Sequence, residues 1–368
     1  MIGLKNQAEM RHLDLVILLC LVLVNLAGLI FLYSASSSLD EAKFQAIMSK
    51  QSMLMFIGFV LIFIILLIDY QRFIDSAYFL YVINLFLLVL VFFAGSKRLG
   101  AQRWLSLFGF TFQPSEFMKI TLVLMLASYF GARKEHSKST FLMIKGILLV
   151  LPAFLLVAVQ PDLGTALMLL PILLGVLFIF GTDIKALLAT AFLGILSTPI
   201  FWYLLKDYQR KRLLVFLNPN LDPLGAGYTI TQSKIAVGSG GLFGKGWLSG
   251  TQNQLNFLPE RHTDFVFSVV GEEWGFIGIS VVLLLYLIII LRGVMIISQT
   301  RDIYGKLIAA GVVCWFTFQI IINVGMTIGI LPVVGLTLPF ISYGGSSLLV
   351  SMIAIGLLLN VGMRRPLF

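Results

Sequence analysis

Apolar runs of about 18 residues or more recur along nearly the whole chain, and a run of that length with few charges reads as a transmembrane helix. We place ten such spans at about 13–34, 51–69, 76–95, 115–132, 141–159, 164–181, 184–205, 265–291, 305–329 and 343–363. A chain that crosses a bilayer must satisfy its backbone groups internally, so the expected fold is an all-α polytopic membrane protein. The 368 residues form one integral membrane domain, interrupted by a single long polar stretch at about 206–264. Lys5 and Arg11 precede the first span and give the N-terminus a superficial likeness to a signal peptide. That span is too long for a signal h-region and lacks a clear cleavage site, so it is expected to be retained.

A net charge of +9 raises the question of nucleic acid. The basic residues, however, are scattered among short loops between apolar spans, where they set orientation and meet anionic headgroups. No nucleic-acid partner is expected. Arg72, Arg133, Lys134, Lys138, Lys145, Lys185, Arg292, Arg301, Lys306, Arg364 and Arg365 mark one set of alternate loops and the C-terminus, on the same side as Lys5 and Arg11. The opposite short loops and helix edges hold only Lys43, Lys50, Lys97, Arg98, Arg103 and Lys119. Both termini are therefore expected in the cytoplasm and the 206–264 loop outside, since long loops translocate largely regardless of charge. Cys20 and Cys314 both lie inside apolar runs and read as small packing residues rather than metal ligands or a disulfide.

Charged residues make up only 12% of the chain, which makes their clusters informative. Pro259-Glu260-Arg261-His262-Thr263-Asp264-Phe265 sets four ionisable side chains at the mouth of a span. A carboxylate is expensive to keep there, so Asp264 is the expected catalytic residue. Arg261, three residues earlier, is expected to hold it ionised. Glu272 is eight residues further, about 12 Å along an ideal helix, which is too far for a direct carboxylate pair. His262 has no metal-ligand spacing around it.

Around Gln113-Pro114-Ser115-Glu116, Pro114 suits the first position of a helix, and Glu116 and Lys119 share a helix face as a candidate ion pair. Lys119 and Arg103 are candidate cations for an anionic substrate. Gln160-Pro161-Asp162-Leu163-Gly164-Thr165 is a tight turn in which Asp162 either caps the next helix or meets substrate. In Asp207-Tyr208-Gln209-Arg210-Lys211-Arg212 we single out Arg210 as a candidate pyrophosphate contact.

The run Gly238-Ser239-Gly240-Gly241-Leu242-Phe243-Gly244-Lys245-Gly246 fails both nucleotide-binding patterns and reads as tight turns close to a ligand backbone. Leu331 to Phe340 carries two prolines without a charge and suggests a re-entrant segment buried in protein. Ser346 and Ser347 follow it, as ligand donors or as a helix cap.

At these motifs the chain resembles the SEDS family (shape, elongation, division and sporulation). The resemblance rests on Gln102-Arg103-Trp104, Gln113 to Glu116, Gln160 to Thr165, Asp222 to Tyr228, Gln232-Ser233-Lys234-Ile235-Ala236, Leu258 to Phe265 and Tyr343 to Ser346. These elements span almost the whole sequence in order. Ile235 to Gly241 and Leu258 to His262 look like the elongation branch rather than the division branch.

The resemblance implies a ten-helix peptidoglycan glycosyltransferase that polymerises lipid II on the outer face of a bacterial cytoplasmic (inner) membrane. It puts the family's essential aspartate at Asp264 and its fourth-helix Glu and Lys at Glu116 and Lys119. Gln113, Ser115, Lys234, Arg261, His262 and Ser346 join the candidate substrate contacts, and the resemblance implies a class B penicillin-binding protein as the partner. Asp264 would act as general base, with undecaprenyl pyrophosphate leaving. No cofactor is required by the sequence; a divalent cation (Mg or Mn) at the pyrophosphate is compatible with it. A lipid II flippase and a non-catalytic scaffold remain the alternatives.

Overall fold

A computed structural model describes residues 13–98, 101–107, 110–133, 140–196, 202–203 and 205–364. Lys5, Arg11 and residues 197–201 and 204 of the seventh expected span lie outside the described residues. The chain is helical nearly throughout. Helices α1 (Leu15–Ser36), α2 (Glu41–Leu67), α3 (Tyr70–Asp75) and α4 (Ala77–Ala94) lead into a small antiparallel sheet. Its strands β1 (Ser96–Arg98), β2 (Ala101–Leu107) and β3 (Phe110–Phe112) lie in sequence order. Then follow α5 (Pro114–Gly131), α6 (Thr140–Val159), α7 (Leu163–Phe180) and α8 (Ile184–Leu196). The long polar stretch folds into α9 (Asp207–Leu217), a 3-10 turn, α10 (Ala226–Ser239) and α11 (Thr251–Gln254). The chain closes with α12 (Val266–Gln299), α13 (Ile303–Thr327) and α14 (Gly345–Met363).

Among the described residues, eight helices are long and apolar enough to cross a membrane. Of the ten expected spans, 115–132 appears as the 18-residue α5, whose Glu116 and Lys119 are buried within the protein. The span expected at 184–205 is described as the 13-residue α8. The small sheet was not expected, and it places Arg103 beside the turn that joins α6 to α7.

Of these eight helices, α14 is the most enclosed, with α13 and α7 next; α2, α4 and α12 show most of their surface outward. Phe56, Phe63, Phe79, Phe86 and Phe93 are exposed on that outer surface, as lipid-facing side chains are. Cys20 is buried in the core, and Cys314 packs against Gly175.

The two ends of the bundle differ. At one end, carboxylates cap and tie helices: Asp14 accepts from Ile17 N and pairs with Arg292 at 2.6 Å. Asp302 caps α13 and accepts from Tyr70 Oη at 3.0 Å. At the other end lie the sheet, the 160–162 turn, the α9–α11 layer and the 328–344 segment.

Candidate active site

Helix α12 is broken at Gly275, where φ is +63° and ψ is −159°. The break frees two carbonyls and two N–H groups, which in an apolar setting must find partners. The glycine-rich segment supplies them. Lys245 N and Gly246 N donate to Glu272 O and Glu273 O at 2.9 and 3.0 Å. Phe276 N and Ile277 N donate in turn to Gly241 O and Leu242 O at 2.9 and 3.1 Å. A side chain at Gly240 or Gly244 would collide with the α12 backbone at Gly271 or Glu273. These glycines therefore approach a protein backbone, not the ligand backbone expected from sequence. Glu272 is fully buried in the same joint. It pairs with Lys245 at 2.8 Å and accepts from Thr251 Oγ1, Gln252 N and Asn253 N.

With α12 fixed in this way, the turn before it presents Asp264. Glu260 adopts a left-handed φ of +47°, and its carbonyl accepts from Thr263 N, Asp264 N and Phe265 N. Asp264 lines a small cavity open to solvent, together with Arg212, Thr229, Ile230, Glu260 and Val333. A second cavity shares Arg212 and Val333 with it and extends to Arg103, Gln209 and Leu213. The two adjoin at Arg212 and Val333 and together form the candidate cleft, with a carboxylate at one end and guanidinium groups along it. Burial pushes the Asp264 carboxyl up to about 6, against the lowering influence of Arg212 and then Arg103; Glu260 adds to the rise.

The re-entrant segment forms the far wall. Leu336, Leu338, Phe340 and Ile341 are buried, and polar side chains satisfy the unwound backbone. Gln319 Nε2 donates to Thr337 O at 2.8 Å, Asn323 Nδ2 to Leu336 O at 2.6 Å, and Tyr286 Oη to Pro339 O. Gly335 has φ +75°, and a Cβ on it would lie 3.4 Å from Asp264 Oδ2 and 3.8 Å from Arg212 Nη1.

The other expected residues fall in three places. Gln113, Ser115 and Asp162 form one knot beside the cleft. Asp162 Oδ2 accepts from Gln113 Nε2 at 2.8 Å and Ser115 Oγ at 2.9 Å, and Asp162 caps α7 through Thr165 N. Its other oxygen lies 3.7 Å from Arg103 Nη1, and Arg103 also donates to Gln160 O and Pro161 O. Ser346 Oγ accepts from Gln113 N at 3.0 Å, bringing α14 to the same knot.

Glu116 and Lys119 do form the expected ion pair, at 2.8 Å. Lys119 does not open onto the cleft, as its proposed role as a substrate cation required. It is fully buried, with Nζ 3.2 Å from Gln319 Oε1 and over the Trp315 ring. The pair thus braces the residue that holds Thr337.

Arg261 also departs from expectation. It does not face Asp264: Nε donates to Ala35 O at 2.6 Å and Nη2 to Ser38 Oγ, pinning the loop to the end of α1. His262 is half-buried beside Tyr343, its carbonyl accepts from Tyr343 N, and burial holds its imidazole below the usual value. Lys234 lies over Gly329, beyond the C-terminal end of α13, where its charge suits the helix dipole.

Arg210 is turned from the cleft and donates to Trp202 O and Tyr203 O. The cation of this cluster that lines the cleft is Arg212, whereas Arg210, the candidate expected from sequence, does not line it. The available signal was helical phase: Gln209, Arg212 and Leu213 stand at i, i+3 and i+4 and share the cleft-facing side of α9. Asn323 and Gln319 were missed altogether, because a lone amide inside an apolar span carries no pattern.

Fold and site together define a multi-pass membrane protein with a carboxylate–guanidinium cleft at one end of its helix bundle. The FtsW/RodA/SpoVE family model, described as cell cycle protein, matches residues 14–366, and the chain belongs to this family. It is 41% identical over 359 residues to the peptidoglycan glycosyltransferase MrdB of Escherichia coli strain K12, covering 97% of this chain and 95% of that one. Among solved structures it is similar to a chain from work on structural coordination of polymerization and crosslinking by a peptidoglycan synthase complex. That match has a TM-score of 0.83 and 33% identity, over 95% of this chain and 97% of that one. Thermus thermophilus rod shape determining protein RodA matches with a TM-score of 0.70 and 31% identity, over 96% and 97% of the two chains.

Proposed function

We propose that this protein is a peptidoglycan glycosyltransferase of the RodA type, which polymerises lipid II into glycan strands for cell elongation. The observation that carries the reading is the cleft, in which Asp264, Arg212 and Arg103 line adjoining cavities. Asp264 takes the proton from the 4-hydroxyl of the acceptor sugar. That oxygen attacks the anomeric carbon of the donor, the bond to pyrophosphate breaks, and undecaprenyl pyrophosphate leaves with inversion. A base must be ionised to act and works best with a pKa near the working pH, and a carboxyl at about 6 meets both needs. Arg212 and Arg103 are placed to neutralise the negative charge that develops on the leaving group. Glu116 and Lys119 support the re-entrant wall through Gln319 rather than touching substrate.

An ion of Mg or Mn at the pyrophosphate would be held mainly by phosphate oxygens and water, with one or two carboxylates such as Asp264 or Glu260. Among the described residues no three His, Cys, Asp or Glu side chains converge, and no step here runs through a metal. We place the protein in the bacterial inner membrane with both termini cytoplasmic and the cleft outside. This orientation follows the distribution of basic residues and gives the cleft access to lipid II headgroups. A class B penicillin-binding protein is the proposed partner.

The test is polymerisation of lipid II by the purified protein with its cognate partner, comparing Asp264→Asn with the unaltered chain. The variant is expected to bind the partner and make no glycan. Polymer at the unaltered rate would remove Asp264 as the base, and translocation of lipid II in liposomes without polymer would favour a flippase.

A further inference from the structure

We infer that Asn323 is a positioning residue for the Asp264 carboxylate, a single buried amide that sets the distance between the base and the re-entrant wall. Asn323 lies one turn from the end of α13 and is fully buried. Its Nδ2 donates to two backbone carbonyls from segments far apart in sequence: Asp264 O at 3.2 Å and Leu336 O at 2.6 Å. One carbonyl belongs to the base itself. The other follows Gly335, whose missing side chain leaves open the space that a Cβ would take beside Asp264 Oδ2 and Arg212 Nη1. The two protons of one NH2 group thus fix the base and the wall opposite it relative to a rigid helix.

A buried carbonyl left without a donor costs roughly 1–3 kcal/mol, so removing this amide frees both segments to find other partners. Neither segment has regular structure to hold it otherwise. Asp264 sits in a turn organised by Glu260 O, and the 331–344 backbone has no helix or strand. Among the described residues Asn323 Oδ1 has no hydrogen-bond partner, so it is the donor side of the amide that ties the two segments. The charged groups that act on Asp264 are Arg212, Glu260 and Arg103, from α9, its own turn and β2. Asn323 adds a neutral donor on the α13 side, where a charge would be felt at once.

The inference rests on Asp264 being the base, and the experiment separates the two. Lipid II polymerisation is followed as a function of pH and substrate concentration for the complex carrying Asn323→Leu, Asn323→Asp or Asp264→Asn. A displacement of about 1 Å at a reacting group costs up to roughly 100-fold, so Asn323→Leu is expected to lower kcat by about 10- to 100-fold with KM little changed. Asn323→Asp turns acceptor oxygens toward two carbonyls and brings a second negative charge near the base. It should therefore also move the acid limb of the pH profile upward, which a merely structural defect would not do.

Gly335→Ala perturbs the same gap from the other wall, with Asn323 intact, and should reproduce the loss of kcat if an Asn323 variant fails to fold. An unchanged kcat and pH profile in the Asn323 variants, with Asp264→Asn inactive, overturns the positioning role and leaves the base in place. An active Asp264→Asn removes the base, and the positioning role with it.

Discussion

Asp264 shows how a side chain is made useful by being made uncomfortable. Burial pushes its carboxyl to about 6, whereas an exposed aspartate sits near 4. The folded state therefore holds the proton more tightly than the unfolded one. Between those two values stability falls as pH rises, and above about 6 the full burden of a buried carboxylate is present. Activity runs the other way, since the ionised form is the base. The polymerisation rate is expected to fall as pH drops through about 6, while Asp264→Asn melts higher than the unaltered protein at pH 8 and loses that advantage toward pH 4. Thermal unfolding in detergent at the two pH values checks the second half. An equal melting temperature at pH 8 would mean that the folded site does not disfavour the charge.

Among elements, the joint between the glycine-rich segment and broken α12 determines whether the turn bearing Asp264 is held at all. A continuous helix through Gly275 would leave no room for residues 240–246, and a bulkier segment could not reach the exposed carbonyls. Gly244 combines a φ of +78° with contact against the α12 backbone. Gly244→Ala should thus cost at least about 1–3 kcal/mol from backbone strain alone. Gly238→Ala, at a site open on all sides with ordinary φ, should be close to neutral. Limited proteolysis of the 240–256 region reads the difference, with early cleavage expected only for the Gly244 variant. The Glu116–Lys119 pair is an element-level device too. It places two charges within an otherwise apolar layer to hold Gln319, and Gln319 holds the unwound backbone at Thr337.

At the scale of the whole molecule the polar connections sort into two ends, and the proposed orientation makes this measurable. In spheroplasts, cysteine placed at Ser38 or Glu260 should react with a membrane-impermeant maleimide, and cysteine at Arg72 or Arg301 should react only after lysis. Cys20 and Cys314 are held in packed positions and should contribute little background. Labelling in the reverse pattern would turn the cleft toward the cytoplasm and away from its proposed substrate.

The class of fold is legible in the apolar runs alone, because hydrocarbon thickness sets helix length and leaves a backbone no alternative partner. The sequence also marked the clusters around Asp264, Glu116 and Asp162, since charge is costly enough in an apolar chain to stand out. Only the tertiary structure decided which way those side chains face. Helical phase turned Arg212 rather than Arg210 to the cleft, the fold closed over Lys119, and Arg261 was drawn to the end of α1. Asn323 became visible only when two distant backbone carbonyls met over one amide. Local sequence encodes periodicity and cost; direction and company depend on which segments pack together, and that is a property of the whole chain.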